Sequence, residues 1–428
     1  MRLPKLLTTI FLSIILTACS FPWQNNNKII TLHYWGIFDS ATTINQIIED
    51  YKKTQPNVNI IYDKKSPQQY RQTLQSQLES GKGPDIFQFH NTWTQMLGAD
   101  LLPVPSDVYS SADFRNNFYP TAASDLRYQT KFVGLPASID GIGLYYNEDL
   151  FQAAGLAAPP KSWQEFAQDA IKLTVKDPAG NIRTAGAALG TTGNVDYFSD
   201  ILALMILQNG GDLKAPTSPR TADALDYYTH FAKSQNRVWD ETLPKSTLAF
   251  GAGTLAMFFG PSTSAAEIKK INPLLRFKVV PPPQLEGGRV SWASYWANGV
   301  STKIKDKKIQ QEAWRFAKYL EEDQTLIKIY TEAVKDPDRV VGLPYPKVNL
   351  AQKLAQDPIV GAYVTDAPFM RSFPMASNTF DNGMNDEIVK AYDEAIKASL
   401  SGTPANRALE AAAKTIQNIF TKYTATKQ

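Results

Sequence analysis

Two clusters and one nonapeptide hold residue types that suit a binding site. Trp35 to Asp39 and His90 to Trp93 each mix rings with hydrogen-bonding side chains, and Ser291 to Gly299, SWASYWANG, sets Trp292, Tyr295 and Trp296 among small residues. Taken singly, a tryptophan is more at home in a core. The case for a site therefore rests on what brings such clusters together. Reaction chemistry has less support, because the chain has no G-x-S-x-G elbow, S-x-x-K, H-E-x-x-H or phosphate-cradling loop. Histidines number three and cysteines one. Paired carboxylates of the glycosidase kind stay open, since such pairs are assembled in space.

The elements that would position these clusters follow from periodicity. Ile30, Leu32 and Tyr34 alternate with Thr31 and His33 as in a strand, and Ile44, Ile47, Ile48 and Tyr51 keep helical spacing behind a cap at Asp39 or Ser40. Pro56 ends that helix. Residues 58–62 predict a second strand, 68–80 a second helix and 85–89 a third strand after the breaker Gly81-Lys82-Gly83-Pro84. Strand, helix, strand, helix, strand implies a parallel sheet with right-handed crossovers and a ligand crevice beyond the carboxyl ends of its strands. Trp35 to Asp39 and His90 to Trp93 both follow such ends, so one rim of the sheet should gather them. A second α/β unit begins with a strand at 142–146, a short helix at 148–154 closed by Gly155, and a helix opened by the capping box Ser162-Trp163-Gln164-Glu165. Helices at 197–208 and 221–234 and an apolar strand at 255–259 continue it. SWASYWANG reads as one strand after a loop rich in proline and glycine, ahead of helices at 310–322, 386–400 and 404–422.

With 428 residues, 43% hydrophobic and 20% charged, the chain suits two domains with substantial cores. The opening MRLPKLLTTIFLSIILTACS carries two early positive charges and an apolar run at 6–16 too short to span a bilayer comfortably, the pattern of a secretory leader. Its end, Leu16-Thr17-Ala18-Cys19, resembles the lipobox of bacterial lipoproteins, whose cysteine is acylated and becomes the mature N-terminus. Residues 1–18 are thus expected as a lipoprotein signal peptide and 19–28 as a lipid-anchored tether. Cys19 is the sole cysteine, so the mature protein should have no intramolecular disulfide and no cysteine-based metal site or nucleophile. Removing Arg2 and Lys5 with the leader takes the formal charge from +3 to +1, and no block of like charge stands out. A nucleic-acid partner is not expected.

Several short motifs in fixed order carry a resemblance. They are Pro56-Asn57-Val58, Gly83-Pro84-Asp85-Ile86-Phe87, Gly134-Leu135-Pro136 through Asp140 to Tyr145-Tyr146-Asn147, and Pro160-Lys161-Ser162-Trp163. Further on come Phe250-Gly251-Ala252-Gly253 through Ala256-Met257 to Gly260-Pro261, and Ala313-Trp314-Arg315-Phe316-Ala317. Together they resemble the extracellular solute-binding proteins of ABC importers, the large family that includes maltose- and trehalose-binding lipoproteins, from about Ile29 to about Tyr423. The resemblance implies an α/β, two-lobe, type II periplasmic-binding-protein-like fold with an interlobe cleft, crossing hinge segments and hinge closure on solute. Residues 29–138 and 297–346 would form the N-terminal lobe, and 139–296 and 347–428 the C-terminal lobe. Crossings are implied near 137–141, 296–300 and 345–349, so SWASYWANG would be a return segment passing the cleft.

The same resemblance names side chains. Trp296 matches the ligand-stacking tryptophan of sugar-binding members, where a ring covers the apolar C–H face of a sugar and carboxylates and amides bind its hydroxyls. Asp140 takes the acidic position at the first crossing, with a turn residue before Gly141 as its alternative. His90 stands where trehalose- and maltose-type members have aspartate, and Ser262, Thr263 and Ser264 where malto-oligosaccharide binders have aromatics, which leaves the sugar open. Asp39, Tyr197 and Phe380 are candidates by family position, Trp35, Asn91 and Trp93 by their place on the rim, and Tyr295 from SWASYWANG itself. The implied protein is a monomeric, membrane-anchored, extracytoplasmic binding protein. It hands a carbohydrate to a permease and uses no cofactor or metal. A glycan-active enzyme, a binder of a non-sugar solute and a sensory receptor are the alternatives.

Overall fold

The structure, a computed structural model, describes residues 29–425 except 234, 236, 337 and 338; the leader, Cys19 and the tether lie outside the described residues. In chain order the strands are β1 (Ile30–Gly36), β2 (Val58–Lys64), β3 (Ile86–His90), β4 (Arg127–Tyr128), β5 (Lys131–Phe132), β6 (Leu135–Pro136), β7 (Gly143–Asn147), β8 (Val175–Lys176), β9 (Ile182–Ala187), β10 (Leu255–Gly260), β11 (Phe277–Val280), β12 (Ser291–Trp292), β13 (Trp296–Val300) and β14 (Met370–Arg371).

The first sheet has the order β2-β1-β3-β13-β6. Its parallel part, β1 against β2 and β3, comes from the expected strand–helix–strand pattern. The helix Ala41–Thr54 starts where the Ser40 side chain accepts the Thr43 N–H, and it buries Ile44, Ile47, Ile48 and Tyr51, the stripe its spacing predicts. β13 enters antiparallel to β3 and β6. The carboxyl ends of β1 and β3 therefore meet the amino end of β13 on one rim.

The second sheet, β11-β7-β10-β9-β8, is mixed: β10 lies parallel to β9 and antiparallel to β7, which pairs antiparallel with β11. The helix Trp163–Leu173 opens with the capping box of Ser162 and Glu165. The helix Phe198–Gln208 is buried over almost its whole surface. Sequence periodicity did not announce the helices Ser246–Gly251, Ser264–Ile271 and Asp323–Lys335.

The chain passes from the first sheet to the second between β6 and β7, and returns through SWASYWANG. That return is not the single strand expected. β12 pairs with β14 outside both large sheets, residues 293–295 cross, and β13 joins the first sheet with Trp296 opposite His90. The crossing thus precedes residues 296–300 instead of occupying them, because β13 finds its ladder partners in β3 and β6. The two passages touch where Gly141 bridges Ala293. A Cβ on Gly141 would lie 1.8 Å from the Trp292 carbonyl oxygen, so only glycine permits this approach. The half-buried Asp125 carboxylate fastens the junction, accepting hydrogen bonds from Asn91 Nδ2 (2.9 Å), Tyr295 OH (3.0 Å), Thr121 Oγ1 (3.2 Å) and Ser372 Oγ (2.5 Å).

Candidate functional site

A cavity of about 230 Å³ lies where the strand ends of the two sheets face each other. The first sheet contributes Phe38 beyond β1, His90 at the end of β3 and Trp296 at the start of β13. The other side contributes Asp140 ahead of β7, Pro261 and Thr263 beyond β10, Tyr197 and Asp200 from the start of the helix Phe198–Gln208, and the loop residues 377–380.

The wall on the first sheet is aromatic. Trp296 meets Trp93 at 4.9 Å, His90 at 5.3 Å, Phe38 at 5.5 Å and Tyr70 at 6.3 Å between ring centroids, all edge-on. Such T-shaped contacts fix the indole plane through favourable edge-to-face electrostatics. His90 is buried and its Nδ1 accepts the Thr92 backbone N–H, so the hydrogen sits on Nε2, 3.1 Å from Ser294 Oγ. Burial pushes the imidazole pKa down to about 3. The neutral ring donates toward the cavity side. Nδ1 of His90 faces Thr92 and not a carboxylate, so the Ser294–His90 pair has no acidic third group to orient and charge the ring.

The opposite wall is acidic and hydroxylic. Asp140 accepts from Gly141 N (2.8 Å) and Ser262 N (3.2 Å) on one oxygen and from Ser262 Oγ (2.6 Å) on the other. Asp200 accepts from Trp292 Nε1 (2.6 Å) and Ser377 N (2.8 Å). Burial dominates both groups and pushes each carboxyl up to about 6 against these hydrogen bonds. Beside them, Asn378, Phe380 and Asn382 hold φ of 59°, 52° and 46°. Non-glycine residues in that region cost roughly 1–3 kcal/mol each, so the surroundings must enforce the loop. The Asp381 carboxylate does so by accepting N–H groups of Gly383 (2.9 Å), Asn385 (3.1 Å) and Asp386 (3.0 Å), while the Asn385 amide binds both polar backbone atoms of Ala376. From the helix Tyr70–Glu79 across the cleft, Arg71 Nε donates to the Asp381 carbonyl.

Of the residues singled out in the sequence, His90, Asp140, Tyr197, Thr263, Tyr295, Trp296 and Phe380 line this cavity. Trp93 stands directly behind Trp296, and Ser262 stands behind Asp140 as its hydrogen-bond donor. Trp35 is one ring further out, packed on Tyr70 at 6.4 Å with the Lys65 ammonium 4.2 Å above it. Asn91 is a strut, held by Asp125 and by the Tyr295 N–H. Asp39 faces away into a small separate cavity and lies 3.3 Å from Arg339. Sequence reasoning missed Phe38, Pro67, Asp200, Ser294 and the loop around Asn378. Asp200 did leave a signal: it is the one acid in FSDILALMILQ, a helix otherwise too apolar to carry a charge without a reason.

Among the described residues no cluster of histidine, cysteine and carboxylates could hold a metal, and no helix is long and apolar enough to cross a membrane. A profile of the bacterial extracellular solute-binding proteins matches residues 46–358. A binding protein of Brucella abortus (strain 2308) is 23% identical over 252 residues, 58% of this chain and 61% of that protein. The sn-glycerol-3-phosphate-binding periplasmic protein UgpB of Yersinia pestis is 32% identical over 194 residues, 41% of each chain. The matched part thus spans less than two thirds of these relatives. Among solved structures, the sugar-binding protein MalE of Xanthomonas citri superposes with a TM-score of 0.75 at 17% identity, covering 93% of this chain and all of that one. An ABC transporter solute-binding protein of Thermotoga lettingae, bound with α-D-tagatose, gives 0.70 at 21% identity, covering 91% and 99%. At such identities the likeness is one of fold, the two-lobed type II architecture of periplasmic binding proteins. With the profile extending over most of its length, the chain belongs to the bacterial extracellular solute-binding proteins.

Proposed function

We propose that this chain is the substrate-binding protein of an ABC importer, anchored to a bacterial membrane through Cys19, and that it captures a carbohydrate between its lobes for delivery to a permease. The observation that carries this reading is one cavity faced by the Trp296 ring from one sheet and by Asp140 and Asp200 from the other side. A ring suits the apolar face of a sugar and carboxylates suit its hydroxyls. The volume of about 230 Å³ is at the small end for solute pockets and favours a short sugar over a long chain. A solute touching both walls stabilises the closed lobes by its differential affinity for them, and the closed form is the one a permease would read. The sugar-binding protein among the structural neighbours supports the same class. The glycerol-phosphate-binding relative suggests a phosphorylated solute. Against that, no lysine or arginine is among the described residues lining the cavity, so a phosphate would lack its usual partners.

The test is calorimetric titration against mono-, di- and oligosaccharides, polyols and peptides, together with a turnover assay on the same panel. Binding of a short sugar without product is expected. Product formation would replace the transport role, and binding confined to peptides would replace the solute class. Cys19→Ser should move the protein from the membrane to the soluble fraction; retention at the membrane would remove the anchor from the proposal.

A further inference from the structure

We propose that the solute carries a positively charged nitrogen beside its hydroxyls, as an amino sugar does. The inference rests on the carbohydrate reading for its hydroxyls and goes beyond it in charge.

Two carboxylates face the cavity from the same side, Asp140 at 5% and Asp200 at 2% exposure. Every hydrogen bond they accept comes from a neutral donor: the backbone of Gly141, Ser262 and Ser377, the Ser262 hydroxyl and the Trp292 indole. A carboxylate taken out of water with neutral donors alone is held at a cost that either a proton or a cation relieves. The groups packed around the two acids supply no cation. Tyr145 and Tyr363 stand near Asp140 and Tyr197 near both that site and Asp200; all three are phenols whose ionisation burial opposes. His90 across the cavity is neutral. Asp196, a turn away from Asp200, is acidic and engaged by Ser246, Thr247 and Lys245. Arg339 is a cation whose field reaches Asp140, but it is committed to the Asp39 carboxylate at 3.3 Å and the Phe38 carbonyl at 2.8 Å.

The remaining wall favours the same charge. Phe38, Tyr197, Trp296 and Phe380 line the cavity, and the face of an aromatic ring attracts a cation in a desolvated setting. A neutral sugar would use the carboxylates only as hydrogen-bond acceptors. A protonated amine would in addition neutralise buried charge that is otherwise met by neutral donors. The raised carboxyl pKa values are what an unoccupied pair of this kind should have.

The experiment is calorimetry on the whole protein with the matched pairs glucose and glucosamine, galactose and galactosamine, and mannose and mannosamine, with choline as a cation that is not a sugar, at pH 7 and pH 5. At least one amine should bind tenfold or more tightly than its neutral partner at pH 7. The gap should narrow by about tenfold at pH 5 for each carboxyl titrating near 6. Asp200→Asn should shrink the gap at pH 7; if that variant does not fold, the pH comparison on the unaltered protein decides. A neutral sugar bound as tightly as its amine overturns the charge inference and leaves sugar capture standing. Choline bound while every sugar fails upholds the charge inference and removes the carbohydrate reading. No binding by any probe at either pH overturns the charge inference and leaves the carbohydrate reading to the wider saccharide panel above.

Discussion

Asp39 and Asp140 both follow the edge of a sheet near the lobe junction, yet they live in opposite electrostatic worlds. Asp39 has Arg339 3.3 Å away and faces a small internal cavity, while Asp140 has three neutral donors and faces the cleft. The contrast extends to the two walls. The wall on the first sheet is held by shape, with Trp296 braced edge-on by four rings, of which the two titratable ones, His90 and Tyr70, are kept neutral by burial. The wall opposite is held by hydrogen bonds around carboxyls that form no ion pair among the described residues. A ring platform works through area and contact and is indifferent to pH, whereas buried carboxyls respond to every change in protonation. The cavity combines one wall of each kind.

The largest effect expected from breaking the aromatic side falls outside the cavity. Trp35 is 9% exposed and packs on Tyr70, which in turn meets Trp93 and Trp296. Trp35→Ala should cost about 3–5 kcal/mol of stability by leaving a core void, seen as an earlier thermal unfolding of the lobe, with sugar affinity near its original value. A loss of affinity in a still-folded variant would extend the binding wall out to Trp35. Trp296→Ala should show the reverse pattern. It should weaken binding by about 1–3 kcal/mol through lost ring contact, and Trp296→Phe should recover part of it. Equal affinity for both variants and the parent would remove the stacking role and with it the contrast between the walls.

What the sequence made legible follows the same division. Local patterning announced β1, β2 and β3, and topology then placed His90 beyond a strand end, because crevices form there by geometry. Motif order and position pointed to Trp296 and Asp140, both of which line the cavity. Side-chain direction was not legible. Trp35 and Asp39 share the rim but turn away from the cavity, and a strand's alternation cannot say which face a residue beyond its end will take. SWASYWANG read as one strand because its residues suit one. Its break after Trp292 is set by partners remote in sequence, β14 on one side and β3 on the other. The loop around Asn378 was beyond reach for a similar reason: its left-handed residues are not glycines, and Asp381, Asn385 and Arg71 impose the shape through contacts that no local pattern encodes.

The smallest expected effect separates the walls most cleanly, since it needs no ligand. Asp140 and Asp200 have folded-state carboxyls raised to about 6 from the 3.8 usual for a solvated aspartate. Between those two values the folded protein binds a proton that the unfolded chain releases, so each group destabilises the empty protein above pH 6 and that penalty fades as pH falls. From pH 7 to pH 5 each should return about 1 kcal/mol of stability, measurable by denaturant or thermal unfolding. Asp381, raised to about 6 by burial and by Asp386, adds a slope of its own in the parent. The comparison is therefore between variants. Asp140→Asn and Asp200→Asn should each flatten the rise, while Trp296→Ala should leave it unchanged. If removing either carboxyl leaves the slope as steep as before, that group is not held as a buried acid. If Trp296→Ala flattens it as well, the ring and the carboxyls share one environment and the two walls cannot be treated as independent.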